Sequence, residues 1–184
     1  MKPGSRSLGV AFRDADERSR IAGAVVRTDG VLDGLAYGGC SVGGRDATAS
    51  VAALFDRLDR EDVHRVLCAG VAPAWFNLID LEALHETVDR PVLSVSFEES
   101  EGLAGALREQ FSGDALEDRL AVYRSLPPRR AVAVGDRTLY VRAVGTNDET
   151  AAAVVRELTR EGHRPEPVRA ARIAARAYHD APER

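Results

Sequence analysis

The sequence predicts a three-layer α/β fold, and three observations carry this prediction. Two apolar segments near the N-terminus, Ile21–Arg27 and Val31–Val42, flank the turn sequence Thr28-Asp29-Gly30, which is typical of a tight β-hairpin. Continuous apolar runs of the kind found inside parallel sheets follow at His64–Gly70 and Pro91–Phe97. Segments with helical spacing separate and follow these runs. This order indicates an antiparallel start followed by βαβ units, with helices on the flanks of a mixed sheet.

Each further element has a local reason in the sequence. Ser7–Phe12 is short and apolar, and it completes an opening set of three antiparallel strands. Apolar residues then recur on one helical face after Gly43-Gly44, with Asp46 or Thr48 available as the helix N-cap. The remaining predicted elements are helices at Leu78–Val88, Gly102–Phe111, Ala115–Leu126, Glu149–Arg160 and Glu166–His179, and a strand pair at Ala131–Val134 and Thr138–Val144.

Length and composition limit the possible classes of protein. With 184 residues and 45% hydrophobic content, the chain is predicted to form one domain over residues 1–180, with residues 181–184 as a frayed tail. The sequence contains no apolar run of the roughly 20 residues that a membrane span requires and no signal-peptide pattern at its start. A cytoplasmic location is therefore expected. Cys40 and Cys68 are too few to form a zinc site or a disulfide scaffold and are expected to be buried on strands.

The formal net charge is −4. The protein as a whole therefore has no positive electrostatic field of the kind that attracts nucleic acid. Basic residues are nevertheless concentrated in the last thirty residues, which predicts a local basic face; they are Arg156, Arg160, Arg164, Arg169, Arg172 and Arg176. Lys2 is the only lysine in the sequence. Such a strong preference for arginine over lysine fits a GC-rich, halophilic source.

The most informative motif lies near the C-terminus. Residues 162–169 read Gly-His-Arg-Pro-Glu-Pro-Val-Arg, in which two prolines fix the entry to the terminal helix and Glu166 lies at its positive N-terminus. Together with Val144–Ala151, this segment resembles the C-terminal signature of endonuclease V and of the archaeal DUF99 family, also called UPF0215 or endonuclease dU. The resemblance spans Leu8–Arg176 and includes the segments Phe76–Asp80 and Arg90-Pro91-Val92.

This resemblance implies an RNase H-like fold and a role in the repair of DNA with deaminated bases, uracil or hypoxanthine. In these families carboxylates at neighbouring strand ends hold Mg²⁺ or Mn²⁺, which activates water and stabilises charge on the phosphate. At two of the three matching positions this chain has Ala11 and Ala69. Asp46 matches the third, where it would act as a metal ligand or as a helix N-cap. Asp14 and Asp16 are candidates for a displaced ligand.

Other residues match family positions that contact nucleic acid. Tyr37 precedes Asp46 by nine residues, the spacing of a strand-separating wedge tyrosine in endonuclease V, although an ordinary strand tyrosine is the simpler interpretation. Arg45, Asn77 and Arg169 are further candidates for contacts with nucleic acid, with helix capping as the alternative for Asn77.

Asp80, Thr146 and Glu166 are candidates for a pocket or for purely structural roles. Asp80 and Glu166 suit helix starts, while Thr146 matches a histidine of endonuclease V and Phe97 matches a basic position of the family. Trp75, beside Phe76, is expected to pack against its neighbours, with base stacking as the alternative.

Two hypotheses about function follow. The first is a Mg²⁺- or Mn²⁺-dependent endonuclease that cuts near deaminated bases. The second is a catalytically inactive member that binds DNA, another nucleic acid or a repair protein on the same scaffold, and it needs no cofactor. We prefer the second on physical grounds, because methyl groups cannot coordinate a metal ion. The sequence indicates no particular oligomeric state.

Overall fold

A seven-stranded mixed sheet lies at the centre of the computed structural model. The structure describes residues 4–160 and 163–180; the predicted frayed tail 181–184 and Gly162 of the C-terminal motif lie outside the described residues. The strands are β1 (Arg6–Asp14), β2 (Arg18–Arg27), β3 (Leu32–Ser41), β4 (Val63–Ala69), β5 (Val92–Ser96), β6 (Arg130–Val134) and β7 (Arg137–Val144). Their order across the sheet is β3-β2-β1-β4-β5-β7-β6.

Helices cover both faces of this sheet. They are α1 (Ala47–Leu58), the single turn α2 (Pro73–Phe76), α3 (Leu81–Val88), α4 (Ala104–Gln110), α5 (Gly113–Ser125), α6 (Asp148–Leu158) and α7 (Glu166–Asp180). The predicted α/β class is confirmed, including the three antiparallel opening strands and the parallel strands that follow. Among the described residues, no helix combines the length and the apolar character needed to cross a membrane.

The hairpin between β2 and β3 forms at the predicted turn. Gly30 adopts φ of 90°, a conformation that glycine reaches without steric cost. The backbone N–H of Arg27 donates to the carbonyl of Val31 at 2.9 Å, and the Asp29 carboxylate accepts from the N–H of Val31 at 3.2 Å. The Asp-Gly signal in the sequence therefore corresponds to a hydrogen-bonded turn.

The parallel part of the sheet consists of β1, β4 and β5. Val10 pairs with Cys68, and Cys68 pairs with Ser94, so the carboxyl ends of these three strands meet at one edge. Alternation along β1 directs Leu8 and Val10 towards the core beneath α1 and α3. The opposite side chains of the sheet face α6 and α7.

Helix α7 packs very closely on β1. A Cβ atom added to Gly9 would lie 2.0 Å from the carbonyl carbon and oxygen of Pro167 and 2.5 Å from the backbone nitrogen of Val168. Alanines line both sides of the contact further along, where Ala11 and Ala24 pack with Ala171. The Pro-Glu-Pro start of the helix thus lies directly over a strand position that has no side chain.

Several boundaries differ from the sequence prediction for identifiable reasons. Helix α3 begins at Leu81 rather than Leu78, because the Asp80 carboxylate accepts from the N–H groups of Glu82 and Ala83 and so caps the helix there. The turn α2 was not predicted at all.

The two cysteines are buried on strands as expected, and burial raises the pKa of Cys68 to about 12.

We predict that Gly9→Ala lowers the free energy of unfolding by about 1–3 kcal/mol or more, because the new methyl group would displace the backbone of α7. Urea unfolding followed by circular dichroism measures the change. Gly105→Ala is the matched control. It lies in α4 with no heavy atom within 4 Å of the added Cβ, so it should be neutral or stabilising by about 0.5–1 kcal/mol. Equal stability of the two variants would contradict the predicted contact.

Candidate nucleic-acid interface

Ala11 and Ala69 lie side by side at the carboxyl edge of the parallel strands. Val10 of β1 pairs with Cys68 of β4, so the two alanines that follow are neighbours on adjacent strands. These are the positions where the resemblance places two metal-binding carboxylates. Ala69 borders two cavities at this edge.

The smaller cavity, of about 300 Å³, contains one carboxylate. Its lining consists of Ala11, Phe12, Arg13, Asp14, Ala69, Pro73, Ala74 and Arg172. Asp14 accepts a hydrogen bond from the Ser19 hydroxyl at 2.7 Å. A divalent ion here would meet one acidic side chain and two cationic ones.

Alanine methyl groups occupy the space beside this cavity. Ala11 is fully buried and packs with Ala24, Val26 and Ala171, with Ala69 alongside. Magnesium requires several oxygen ligands, and methyl groups supply none. Within residues 4–160 and 163–180, no cluster of three or more His, Cys, Asp or Glu side chains is arranged to hold a metal ion. The residues present therefore do not fit the ion that the resemblance implies.

The larger cavity, of about 350 Å³, is strongly cationic. Its charged lining consists of four arginines and one glutamate, namely Arg129, Arg142, Arg164, Arg172 and Glu98. The remaining walls include the serines of β5, the ring of Phe97 and the ring of Tyr123. Positive charge thus converges at the edge where carboxylates were expected.

Two of these arginines are held by backbone carbonyls. The guanidinium of Arg129 donates to the Ser100 carbonyl at 3.1 Å and lies 4.1 Å from the centre of the Tyr140 ring. Arg142 donates to the carbonyl of Pro127, and burial lowers the pKa of Arg142. Because neutral carbonyls hold both groups, their positive charges are not cancelled locally.

Arg164 lies over the ring of Phe97, with its guanidinium carbon 4.3 Å from the ring centre. Its Nε atom is buried and has no hydrogen-bond partner among the described residues. Burial and then the nearby charge of Arg172 lower the pKa of Arg164, against a smaller opposing effect of Glu98. An arginine from a distant segment thus lies over Phe97, the residue that the resemblance matches to a basic position of the family.

Asp46 precedes α1 but does not cap it with its side chain. Both carboxylate oxygens accept from the Ser41 N–H at 3.1 Å, and one accepts from the Asn77 amide at 2.7 Å. Burial acts to raise the pKa of Asp46, but these hydrogen bonds outweigh it and lower the pKa below its ordinary value. Asp46 therefore occupies the predicted N-cap position, but its side chain makes no capping bond because the carboxylate turns back towards β3.

Asn77 supplies the missing bond to α1. Its Oδ1 accepts from the Ala47 N–H at 2.9 Å, while its Nδ2 donates to the Ser41 carbonyl at 2.8 Å and to Asp46. The residue is completely buried. The predicted contact between Asn77 and nucleic acid is therefore corrected to a structural role at the start of α1.

The other candidates for nucleic-acid contact remain at the surface. Tyr37 is 41% exposed, and its ring lies 4.9 Å from that of Tyr178 in α7. Arg45 pairs with Asp118 of α5. Arg169 donates through Nε and Nη2 to one oxygen of the buried Glu166, at 2.8 and 2.6 Å. Roles of these residues in binding nucleic acid stay predictions.

The two remaining predicted residues lie apart from the cavities. Asp80 caps α3, which confirms its structural interpretation. Thr146 follows the end of β7 where Val144 pairs with Val92. Val92 begins β5, whereas Ala69 pairs with Val95 near the other end of that strand. The structure thus places Thr146 at the edge opposite the two alanines and outside the linings of both cavities, so of its two predicted roles the pocket is not supported and the structural one stays a prediction.

Sequence reasoning did not single out Arg129, Arg142 or Tyr123 as residues of a site. Arg142 lies opposite Ser94 in the pairing of β5 with β7. Its position between apolar residues on a predicted strand was the one available signal, because a charged side chain on a buried face needs a special environment.

We predict that the Asp46 hydrogen bonds stabilise the fold only above acidic pH. Because the pKa is lowered in the folded state, this stabilisation is fully present above the unfolded-state value of about 3.9 and is lost as pH falls through the lower folded value. Asp46→Asn should lower the unfolding free energy by about 1.5–3 kcal/mol at pH 7.

Urea titrations of the wild-type and Asp46→Asn proteins at pH 7 and pH 3 measure this effect, and the difference between the two proteins should shrink at pH 3. Asp16→Asn, at an exposed position of the β1–β2 turn, is the control and should change little at either pH. A difference that stays constant with pH would contradict the predicted role of the ionised carboxylate.

Comparisons with known proteins agree with the resemblance in the sequence. The family model described as "Endonuclease dU" matches residues 3–179. A UPF0215 protein of Pyrobaculum aerophilum is 32% identical over 173 residues, which cover 93% of this chain and 91% of that protein. A UPF0215 protein of Thermococcus kodakarensis is 34% identical over 163 residues, which cover 88% and 82%. A halophilic source stays a prediction.

Solved structures show the same fold. A protein of unknown function from Archaeoglobus fulgidus has a TM-score of 0.83 at 24% identity, with 94% of this chain and 97% of that chain covered. Human endonuclease V has a TM-score of 0.63 at 16% identity, with 95% and 84% covered. An endonuclease V of Ciona intestinalis, solved in complex with an inosine-containing DNA, has a TM-score of 0.63 at 13% identity, with 97% and 86% covered.

These likenesses confirm the RNase H-like architecture shared with endonuclease V. The family match extends over nearly the whole length of the chain, and the curated relatives align over most of their own lengths. The chain therefore belongs to the endonuclease dU family.

Proposed function

We propose that this chain binds nucleic acid, with DNA as the first candidate, and has lost metal-dependent phosphodiester hydrolysis. One observation carries the proposal. At the carboxyl edge of the parallel strands, two adjacent alanines stand where metal-binding carboxylates were expected, and the neighbouring cavity contains four arginines against one glutamate. Such a site attracts anions and repels metal cations.

Arginine suits this role because its planar guanidinium donates to phosphate oxygens in a bidentate manner. Among the residues that the structure describes, Arg164 and Arg172 form no ion pair, whereas Arg45 and Arg169 are paired with acids. Burial lowers the pKa of Arg164 and Arg142, which means that their charges are partly deprived of solvent. A phosphate entering the cavity would offset that loss.

The size of the cavity supports a ligand with more than a phosphate group. Its volume of about 350 Å³ lies within the roughly 300–1,000 Å³ that is usual for small-molecule sites. Serines, Tyr123 and Phe97 stand beside the arginines, so polar and aromatic surfaces are available to a nucleoside. The endonuclease V of Ciona intestinalis solved with inosine-containing DNA supports nucleic acid as the ligand class.

A second candidate is metal-dependent cleavage of DNA near a deaminated base, uracil or hypoxanthine. The endonuclease dU description of the family favours it, and Asp14 lies in the wall of the smaller cavity. This function would require Mg²⁺ or Mn²⁺, for which the described residues provide too few oxygen ligands at this edge.

We predict that the purified protein does not nick duplex DNA containing deoxyuridine or deoxyinosine in Mg²⁺ or Mn²⁺, even at high protein concentration. Gel electrophoresis of end-labelled duplexes measures this outcome, and an active endonuclease V verifies each substrate. Asp14→Asn and Asp46→Ala provide the decisive comparison. Metal-dependent nicking that either substitution abolished would overturn the loss of hydrolysis and establish the second candidate.

We also predict that DNA binding depends on the arginines of the larger cavity. Arg164→Gln and Arg172→Gln should each weaken binding of a labelled oligonucleotide and reduce the salt dependence by about 0.7–0.9 in log Kd against log salt. Fluorescence anisotropy at several salt concentrations measures both quantities.

Arg27→Gln removes the same charge at the opposite edge of the sheet, where Arg27 pairs with Arg6 at the start of β1, and it should leave binding unchanged. Parallel titrations with RNA of the same sequence distinguish DNA from RNA. Absence of binding to either polymer at low salt would refute the proposed function and leave a role in binding protein.

A further inference from the structure

The turn α2 has a strained backbone. Ala74, Trp75 and Phe76 have φ values of 49°, 51° and 62°. Residues with a Cβ atom avoid this left-handed region, and only glycine enters it freely. Three such residues in succession persist only where the surrounding structure holds them in place, and strain of this kind concentrates at functional sites.

Hydrogen bonds from neighbouring elements hold this turn. The carbonyl of Ala74 accepts from the Gly43 N–H at 2.7 Å, and the carbonyl of Phe76 accepts from Nε of Arg119 at 3.2 Å. Arg119 is only 6% exposed and also donates to the carbonyls of Gly43 and Ala115, at 2.5 and 2.8 Å. A buried arginine thus fastens the loop before α1 to the strained turn.

The strain presents Trp75 to solvent. The Trp75 side chain is 50% exposed, yet its ring is braced by Phe111 at 5.2 Å and by Phe76 at 6.0 Å between ring centres. Core packing does not explain this arrangement. A tryptophan that served only to stabilise the core would contribute more if its whole ring were buried. The turn holds a large aromatic ring in a fixed, accessible position.

Trp75 adjoins the cationic edge of the sheet. It directly follows Pro73 and Ala74, which line the smaller cavity together with Arg13 and Arg172. Arg172 also lines the larger cavity. The segment that carries Trp75 therefore borders the smaller cavity, and Arg172 continues the positive charge into the larger one.

We propose that Trp75 is a stacking platform for an unpaired base of single-stranded DNA whose phosphates contact Arg172 and Arg164. This inference rests on the proposed function and adds the form of the ligand. Aromatic rings stack on bases of any sequence because every base has a π-face, and positively charged grooves follow the backbone. The combination of a braced, exposed tryptophan and of arginines in the cavities that its segment borders matches that chemistry, with the negative phosphates complementary to the arginines.

Trp75 is the only tryptophan in the chain, so its fluorescence reports on this ring alone. Titration with an unlabelled 12-nucleotide deoxythymidine oligomer should quench the emission, with a midpoint that matches the Kd measured by anisotropy of the labelled oligomer. A fully paired duplex of similar length should quench much less, because its bases are already stacked.

Substitutions at Trp75 distinguish the effect of the aromatic ring from the effect of the backbone conformation. Trp75→Gly removes the ring and suits the left-handed φ, so the protein should remain folded and bind the oligomer about 5- to 150-fold more weakly. Trp75→Phe keeps an aromatic face and should retain most of the affinity. Leu32→Ala is the control, since Leu32 is similarly exposed, at 49%, at the opposite edge of the sheet. Circular dichroism verifies folding of each variant.

The outcomes distinguish this inference from the proposed function. Undiminished binding by Trp75→Gly, or anisotropy-detected binding without fluorescence quenching, would overturn the stacking role while DNA binding stands. Loss of binding in Arg164→Gln and Arg172→Gln with unchanged binding in Trp75→Gly would likewise remove the stacking role and leave the cationic cavity as the binding site. Failure of the wild-type protein to bind any oligomer would refute both.

Discussion

The close approach of α7 to β1 is the contact on which the rest of the structure depends. It is possible because Gly9 has no side chain beneath Pro167 and because small residues continue the contact. Ala11 and Ala24 pack with Ala171, and Ala22 packs with Ala174 and Ala175. Dispersion attraction falls steeply with distance. The helix and the strand can approach closely enough to gain from it only because the side chains on both sides of the contact are small. The same contact places Arg164 and Arg172 at the carboxyl edge of the sheet.

The small residues that permit this packing stand where the resemblance implies metal ligands, and they supply no side-chain oxygen there. Ala11 is fully buried and packs with Ala171 of α7, so a carboxylate there would lie against apolar groups at the wall of the smaller cavity. An ionised group in such surroundings is strongly destabilising without a partner. A metal ion would be that partner in an active nuclease, but it needs several carboxylates together. The alanines make the helix contact favourable and leave a cationic cavity beside it.

The polar residues around the β3–α1 connection, which were candidates for metal or nucleic-acid contacts, form structural hydrogen bonds. Asp46 and Asn77 bond mainly to each other and to backbone groups of Ser41 and Ala47. Arg119 connects the same loop to the turn that carries Trp75. Asp46, which the resemblance made a candidate metal ligand, therefore stabilises a junction, and that junction connects to the turn that carries an exposed aromatic ring.

The sequence by itself determined the class of fold, the order of strands and helices, the hairpin turn at Asp29-Gly30 and the cap at Asp80. These features depend on local periodicity and on short-range hydrogen bonds. Only the tertiary structure decided that Asn77 is buried, that Thr146 lies at the far edge, and that arginines distant in sequence share one cavity. It also decided the left-handed turn at Trp75, which lacks the glycines that would signal it. Packing between segments that are distant in sequence sets these positions. A local sequence pattern contains no information about which distant segments come into contact when the chain folds.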